Sequence, residues 1–231
     1  RLVEASTGKV LVDHKGDLSL PPASLTKIMT GYVLADEVDS GRASLDDIIS
    51  VSRTAWSQNP TFKGSSLMWI EPGKPVSLSD LERGVVISSG NDASVAVAEH
   101  LAGTEASFVD VMNQLAGELG LDNTAYRNPH GLPHPEHRTT ARDLATLSVA
   151  LINNHPEHYK IYKEQSFTYN GIKQYNRNSL LRSDSSVDGL KTGYTSEAGY
   201  GLVASAQREG MRLVSVVLGS ARKRTRASEN S

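Results

Sequence analysis

The sequence predicts an α/β (α+β) fold: a mainly antiparallel sheet built from both chain ends, flanked by helices, with a helical lobe inserted between. Three observations carry this. β-favouring runs sit near the two termini, and the middle carries apolar residues at helical spacing. No internal repeat or low-complexity linker divides the chain. The expected arrangement is one domain over 1–231, with sheet at about 1–44 and 176–231 and the lobe at about 45–175.

Leu2 to Ala5 and Val10 to His14 are short β runs, and Ser6-Thr7-Gly8-Lys9 between them has turn chemistry, which predicts a hairpin. After Pro21-Pro22-Ala23, apolar residues at 25, 28, 29, 33 and 38 predict a helix over 25–38. Ser79 to Ile87 and Ser94 to Leu101 repeat that spacing. Thr104 to Leu119 opens on a Thr cap and an acidic turn, and Gly120 follows it. Thr140 to Ile152 is a further helix, stopped by Asn153-Asn154-His155-Pro156. A second hairpin joins 201–206 to 211–218 across Arg208-Glu209-Gly210, and its second arm is apolar enough for a central strand.

The 231 residues are 38% hydrophobic and 22% charged, with net charge −2, as in an ordinary globular chain. That balance argues against a nucleic-acid partner, whose footprint is basic. No long apolar window predicts a membrane span. The absence of cysteine excludes disulfides, thiolate metal sites and a cysteine nucleophile. Arg1 at the start and the polar Ala227–Ser231 at the end read as cut ends, compatible with a signal peptide or C-terminal extension on a parent protein.

Three short motifs carry chemistry. Ser24-Leu25-Thr26-Lys27 is Ser-x-x-Lys, and unlike the same pattern at Ser6 and Ser220 it opens an apolar-periodic helix. Residues i and i+3 share a face, so Lys27 lies within reach of the Ser24 hydroxyl. The helix start also offers backbone N–H groups to an oxyanion. Ser89-Gly90-Asn91 falls between two helices, where a hydroxyl and an amide can face Ser24 across a cleft. Lys191-Thr192-Gly193 occurs once, before the last hairpin, and is expected on an edge strand. Its glycine permits close backbone approach, and its cation and hydroxyl suit a carboxylate. Alone, each motif also fits a cap or a solvated turn; their order and context make the case.

With Phe62-Lys63-Gly64-Ser65-Ser66, His130-Gly131-Leu132, Ala141-Arg142-Asp143, Asn176-Arg177-Asn178 and Val216-Val217-Leu218-Gly219, these motifs closely resemble the D-alanyl-D-alanine carboxypeptidases of the penicillin-binding protein 5 and 6 type. The resemblance covers nearly the whole chain. It implies a serine peptidase of the β-lactamase/transpeptidase-like fold that removes the terminal D-alanine from peptidoglycan stem peptides and is acylated by β-lactam antibiotics. No cofactor and no metal are implied. The implied place is the bacterial envelope, outside the cytoplasmic membrane. The family's small β-rich C-terminal domain and membrane anchor are not visible in this sequence.

Residue by residue, the resemblance makes Ser24 the nucleophile and Lys27 its base. A free lysine titrates near ~10.4, so keeping it neutral at pH 7 requires depression worth about 4 kcal/mol. Burial and a second cation, Lys191, act in that direction. The same burial also admits a charged Lys27 that only orients. Ser89 is implied as a relay to the leaving amine, and Asn91 as a ligand of the substrate backbone or of Lys27. Backbone N–H groups of Ser24 and Tyr194 are implied as the oxyanion hole. Thr192 and Gly193 are implied on the substrate, with Thr192 at its terminal carboxylate. Arg226 matches a family arginine near that carboxylate, and Arg177 and His130 match rim residues.

A β-lactamase would add a deacylating glutamate within Glu-x-x-x-Asn, and no Glu here is followed by Asn four residues on. D,D-endopeptidase action remains open, since it attacks the same kind of carbonyl. A zinc hydrolase is disfavoured: Pro133 and Pro135 break any helix that would gather His130, His134 and His137. A catalytically silent binding relative would be expected to lack at least one motif residue.

Overall fold

The computed structural model describes residues 1–230; Ser231, the last residue of the polar tail, lies outside them. Both chain ends enter one five-stranded antiparallel sheet. Its strands are β1 (Leu2–Glu4), β2 (Val10–Val12), β7 (Val187–Thr195), β8 (Gly199–Arg208) and β9 (Met211–Ser220), in the order β2-β1-β9-β8-β7. The apolar run at 211–218 is central, as its composition requires, and Val216 pairs with Val203. The Lys-Thr-Gly segment lies on the edge strand β7, with Lys191 opposite Val203 and Gly193 opposite Gly201.

Between these ends run the helices. α1 (Lys27–Asp39) is buried on all sides from Lys27 to Ala35, so it forms the centre of the molecule. The expected helix over 25–38 is therefore split: a 3-10 turn, Ala23–Thr26, precedes it and carries Ser24. α2 (Leu78–Arg83) is capped by Ser77, whose hydroxyl accepts from Asp80 N at 3.0 Å. α3 (Asn91–Ala102), α4 (Glu105–Glu118) and α5 (Ala141–Asn154) follow. Thr104 and Thr140 cap α4 and α5 by accepting from Ser107 N and Asp143 N. α6 (Pro156–Tyr159), α7 (Leu180–Ser183) and α8 (Lys223–Ser228) are single turns or little more. No helix among the described residues is long and apolar enough to cross a membrane.

Two features differ from the sequence expectation. The helix expected over 79–87 passes at Gly84–Ser88 into a π-helical turn, in which Ser88 Oγ donates to Gly84 O at 2.8 Å. The lobe also contains two small antiparallel ladders: β3 (Ile48–Ile49) with β4 (Val76–Ser77), and β5 (Ser166–Tyr169) with β6 (Ile172–Tyr175). Asn170 and Gly171 join the second pair with φ of 48° and 76°, a primed hairpin turn.

Candidate active site

The site forms where the turn before α1, the π-helical turn and the edge strand β7 meet. Ser24 sits just after Ala23, whose φ is +49°. The approach to this turn is fixed by paired backbone bonds between Leu20 and Thr139, both 2.9 Å. Gly131 packs directly beneath it: a Cβ there would lie 1.8 Å from Ala23 O, and its φ is +93°. Only glycine fits that contact. Asn128 holds the loop in place by accepting from Gly131 N at 2.7 Å.

Lys27 Nζ has three partners: Ser24 Oγ at 3.0 Å, Asn91 Oδ1 at 2.7 Å and the His130 carbonyl at 2.8 Å. The side chain is 1% exposed. Burial first, then the Lys191 and Arg177 charges, holds its pKa well below the ordinary lysine range, with Asp92 acting the other way. Two of the three partners can only accept. A neutral amine that donates to Asn91 and His130 must therefore turn its lone pair to Ser24 Oγ.

Ser89 terminates the π-helical turn in the left-handed conformation, φ +59°, and its hydroxyl accepts from Lys191 Nζ at 2.8 Å. Lys191 is also buried, and burial, then Arg177 and Arg226, lowers its pKa to about 7. Among the described residues no hydrogen bond joins the Ser24–Lys27 pair to the Ser89–Lys191 pair; Ser24 and Ser89 line one cleft of about 810 Å³, and both lysines are buried. Thr192, Gly193 and Tyr194 line the same cleft. A Cβ on Gly193 would meet Pro22 O at 3.0 Å and Leu25 N at 3.2 Å, so the strand backbone lies against the turn that carries Ser24.

The outer candidates take less direct places. The His130 ring makes no hydrogen bond to the lysine among the described residues: its Nδ1 accepts from Leu132 N at 3.1 Å, and burial, then Lys27 and His137, lowers its pKa to about 3. Only its carbonyl touches Lys27. Arg226 Nη1 donates to Gly193 O at 3.0 Å and Gly201 O at 3.3 Å, bracing β7 against β8. The Tyr194 ring is half-exposed and stacks on Tyr200 at 4.2 Å. Arg177 Nε reaches Ser88 O at 3.4 Å. The three histidines of the rejected zinc pattern are engaged separately: His137 contacts Thr26 Oγ1 at 2.7 Å and His134 Nδ1 accepts from Glu136 N at 3.2 Å.

Asp92 was not singled out from the sequence, yet it organises the cleft wall. Its buried carboxylate accepts from Met68 N, Trp69 N, Ile70 N and Ala93 N at 2.8, 2.8, 3.2 and 2.9 Å. Burial raises its pKa, and these four N–H groups oppose the rise. Its position after Asn91 at the first turn of α3 was the available signal.

Residues 1–222 match the sequence pattern of the D-alanyl-D-alanine carboxypeptidase family. The chain belongs to this family. It is 49% identical over 231 residues to the D-alanyl-D-alanine carboxypeptidase DacC of Escherichia coli, covering 99% of this chain and 58% of that protein. It thus spans about three fifths of the length of the curated relatives it matches. Penicillin binding protein 5 from Haemophilus influenzae superimposes with a TM-score of 0.96 at 44% identity, over 99% of this chain and 67% of that one. Penicillin-binding protein D2 from Listeria monocytogenes in its cefotaxime-bound form gives 0.87 at 32% identity, over 99% and 92%. The family's transpeptidase-like fold accounts for a mixed architecture in which motifs far apart in sequence border one cleft.

Proposed function

We propose that this chain is the catalytic part of a serine-type D-alanyl-D-alanine carboxypeptidase, acting on peptidoglycan stem peptides and acylated by β-lactams. The observation that carries the proposal is the three-partner environment of Lys27 Nζ, which leaves its lone pair no other direction than Ser24 Oγ. The Ser24 hydroxyl proton passes to Lys27 as Oγ bonds to the carbonyl carbon between the two D-alanines. The C–N bond then breaks, the last D-alanine leaves as an amine, and Ser89 backed by Lys191 supplies the proton route. Water attacks the acyl-enzyme in the second half-reaction. Backbone N–H groups of Ser24 and Tyr194 receive the oxyanion. Thr192 with Arg226 behind it takes the terminal carboxylate. This substrate places the enzyme in the bacterial envelope, outside the cytoplasmic membrane.

Two measurements test the reading. Intact mass after benzylpenicillin treatment should show one long-lived adduct, absent in Ser24→Ala. A peptide ending in D-alanyl-D-alanine should release one D-alanine. Rapid hydrolysis of the drug without an adduct would make the protein a β-lactamase instead. Neither adduct nor hydrolysis would leave a catalytically silent relative.

A further inference from the structure

Most arginines outside the cleft are neutralised, Arg53, Arg222 and Arg224 excepted. Arg42, Arg83, Arg127, Arg138, Arg142 and Arg208 each hold an Asp or Glu oxygen within 3.3 Å. The cleft breaks this habit. Lys63, Arg177, Arg182, Lys223 and Arg226 line it, and no Asp or Glu does. Among the described residues none of the five has a carboxylate partner: Arg177 reaches Ser88 O at 3.4 Å and Arg182 Nη1 reaches Asn176 O at 3.3 Å.

These cations fall into two groups. Lys223 and Arg226 stand on α8, and Arg226 braces β7 and β8. Lys63, Arg177 and Arg182 stand on the other wall, whose parts are tied together. Gln174 Nε2 donates to Met68 O at 2.9 Å, joining β6 to the loop that carries Lys63. Arg177 joins the same wall to the π-helical turn. Tyr175, 62% exposed, lies in the cleft beside them. Lys191 feels both groups, through Arg177 and Arg226. The substrate's terminal carboxylate, on the reading above, occupies the α8 end, which leaves three cations without an assigned anion.

We propose that Lys63, Arg177 and Arg182 form a second anion subsite, which takes a carboxylate carried by the substrate on the amino-terminal side of the scissile bond. The subsite rests on the carboxypeptidase reading. A neutral group there forgoes the charge interaction, and a cationic one is repelled, so the three cations set specificity. Unpaired cations in a focusing cleft also make the effect sensitive to salt.

The test uses N-acyl peptides ending in D-alanyl-D-alanine that differ only in the preceding side chain: glutamate, glutamine or lysine. Glutamate should exceed glutamine in kcat/KM by about tenfold at low salt, with lysine lowest, and the ratio should shrink in high salt. The Lys63→Glu/Arg182→Glu protein should lose or invert the ratio, with Lys63→Gln/Arg182→Gln as the milder pair. Benzylpenicillin acylation of each variant reports whether the site is folded. Equal kcat/KM for glutamate and glutamine in the unmodified protein overturns the subsite, without recourse to any variant. An unchanged preference in a penicillin-reactive double variant overturns it as well. If no peptide loses D-alanine and no drug adduct forms, the carboxypeptidase reading fails and the subsite falls with it.

Discussion

Lys27 has three hydrogen-bonding directions and three partners, and the base role proposed for it follows from that match. Lys27→Ala should slow penicillin acylation by about 10²–10⁴-fold, the usual worth of a positioned general base, measured by stopped-flow. The two lysines also set a pH profile. Lys27 must be neutral, so acylation rises as pH passes its depressed pKa; Lys191 must stay charged, so the rate falls above about 7. A bell-shaped profile is the expected outcome. Lys191→Arg should move the alkaline limb upward, because a guanidinium does not lose its proton there. An unchanged limb would separate Lys191 from the titration. At this scale the sequence was readable where motif side chains bond one another, as Lys27 does with Ser24 and Asn91, and Lys191 with Ser89. Apart from the close approach at Gly193, it was opaque where the backbone acts. The carbonyl of His130, the missing Cβ of Gly131 and the four amides held by Asp92 leave no spacing pattern.

Among elements, the turn that carries Ser24 and the loop beneath it are locked by one contact. Gly131→Ala places a Cβ against Ala23 O at a positive φ and should cost about 2–4 kcal/mol in urea unfolding. Acylation should fall along with it, since the turn must move. A separate lock joins α1, α2 and α6. His158 bonds Glu82 and faces Asp39, which in turn accepts from or pairs with His155 at 2.6 Å. Burial pushes the His158 pKa down, but Glu82 and Asp39 outweigh it, and the net shift is upward from 6.5. A raised folded-state pKa adds stability that is complete below the ordinary value and is lost as pH rises through the folded one. Melting temperature of the unmodified protein relative to His158→Gln should therefore decline as pH rises above 6.5 through that value. A flat difference would show that the histidine binds its neighbours while neutral. Periodicity located the long helices because each buries a stripe or a whole surface. It missed the π-helical turn, which changes the number of residues per turn only locally. The β5–β6 hairpin did carry a signal, Asn170-Gly171 between β-favouring residues, of the kind that marks a primed turn.

For the whole molecule, the cleft is bordered by parts far apart in sequence: the turn before α1, the lobe's π-helical turn and the sheet's edge strand. A covalent adduct on Ser24 that also contacts Thr192 and Asn91 should raise the melting temperature, since those contacts form only in the native arrangement. Calorimetry with and without benzylpenicillin checks this, and Ser24→Ala should show no such rise. That both chain ends share one antiparallel sheet was legible from their β-favouring runs, and the strand order was not. The first strand's position in that sheet has a kinetic meaning. Arg1 N donates to Val216 O across 215 positions of chain, and β1 lies between β9 and β2. A contact of that sequence separation is among the slowest to form, because its loop entropy is lost before any pairing compensates. During synthesis β1 can pair at once only with β2, and its other edge waits for β9, about 215 positions further on. That edge stays available to the wrong strand throughout the interval.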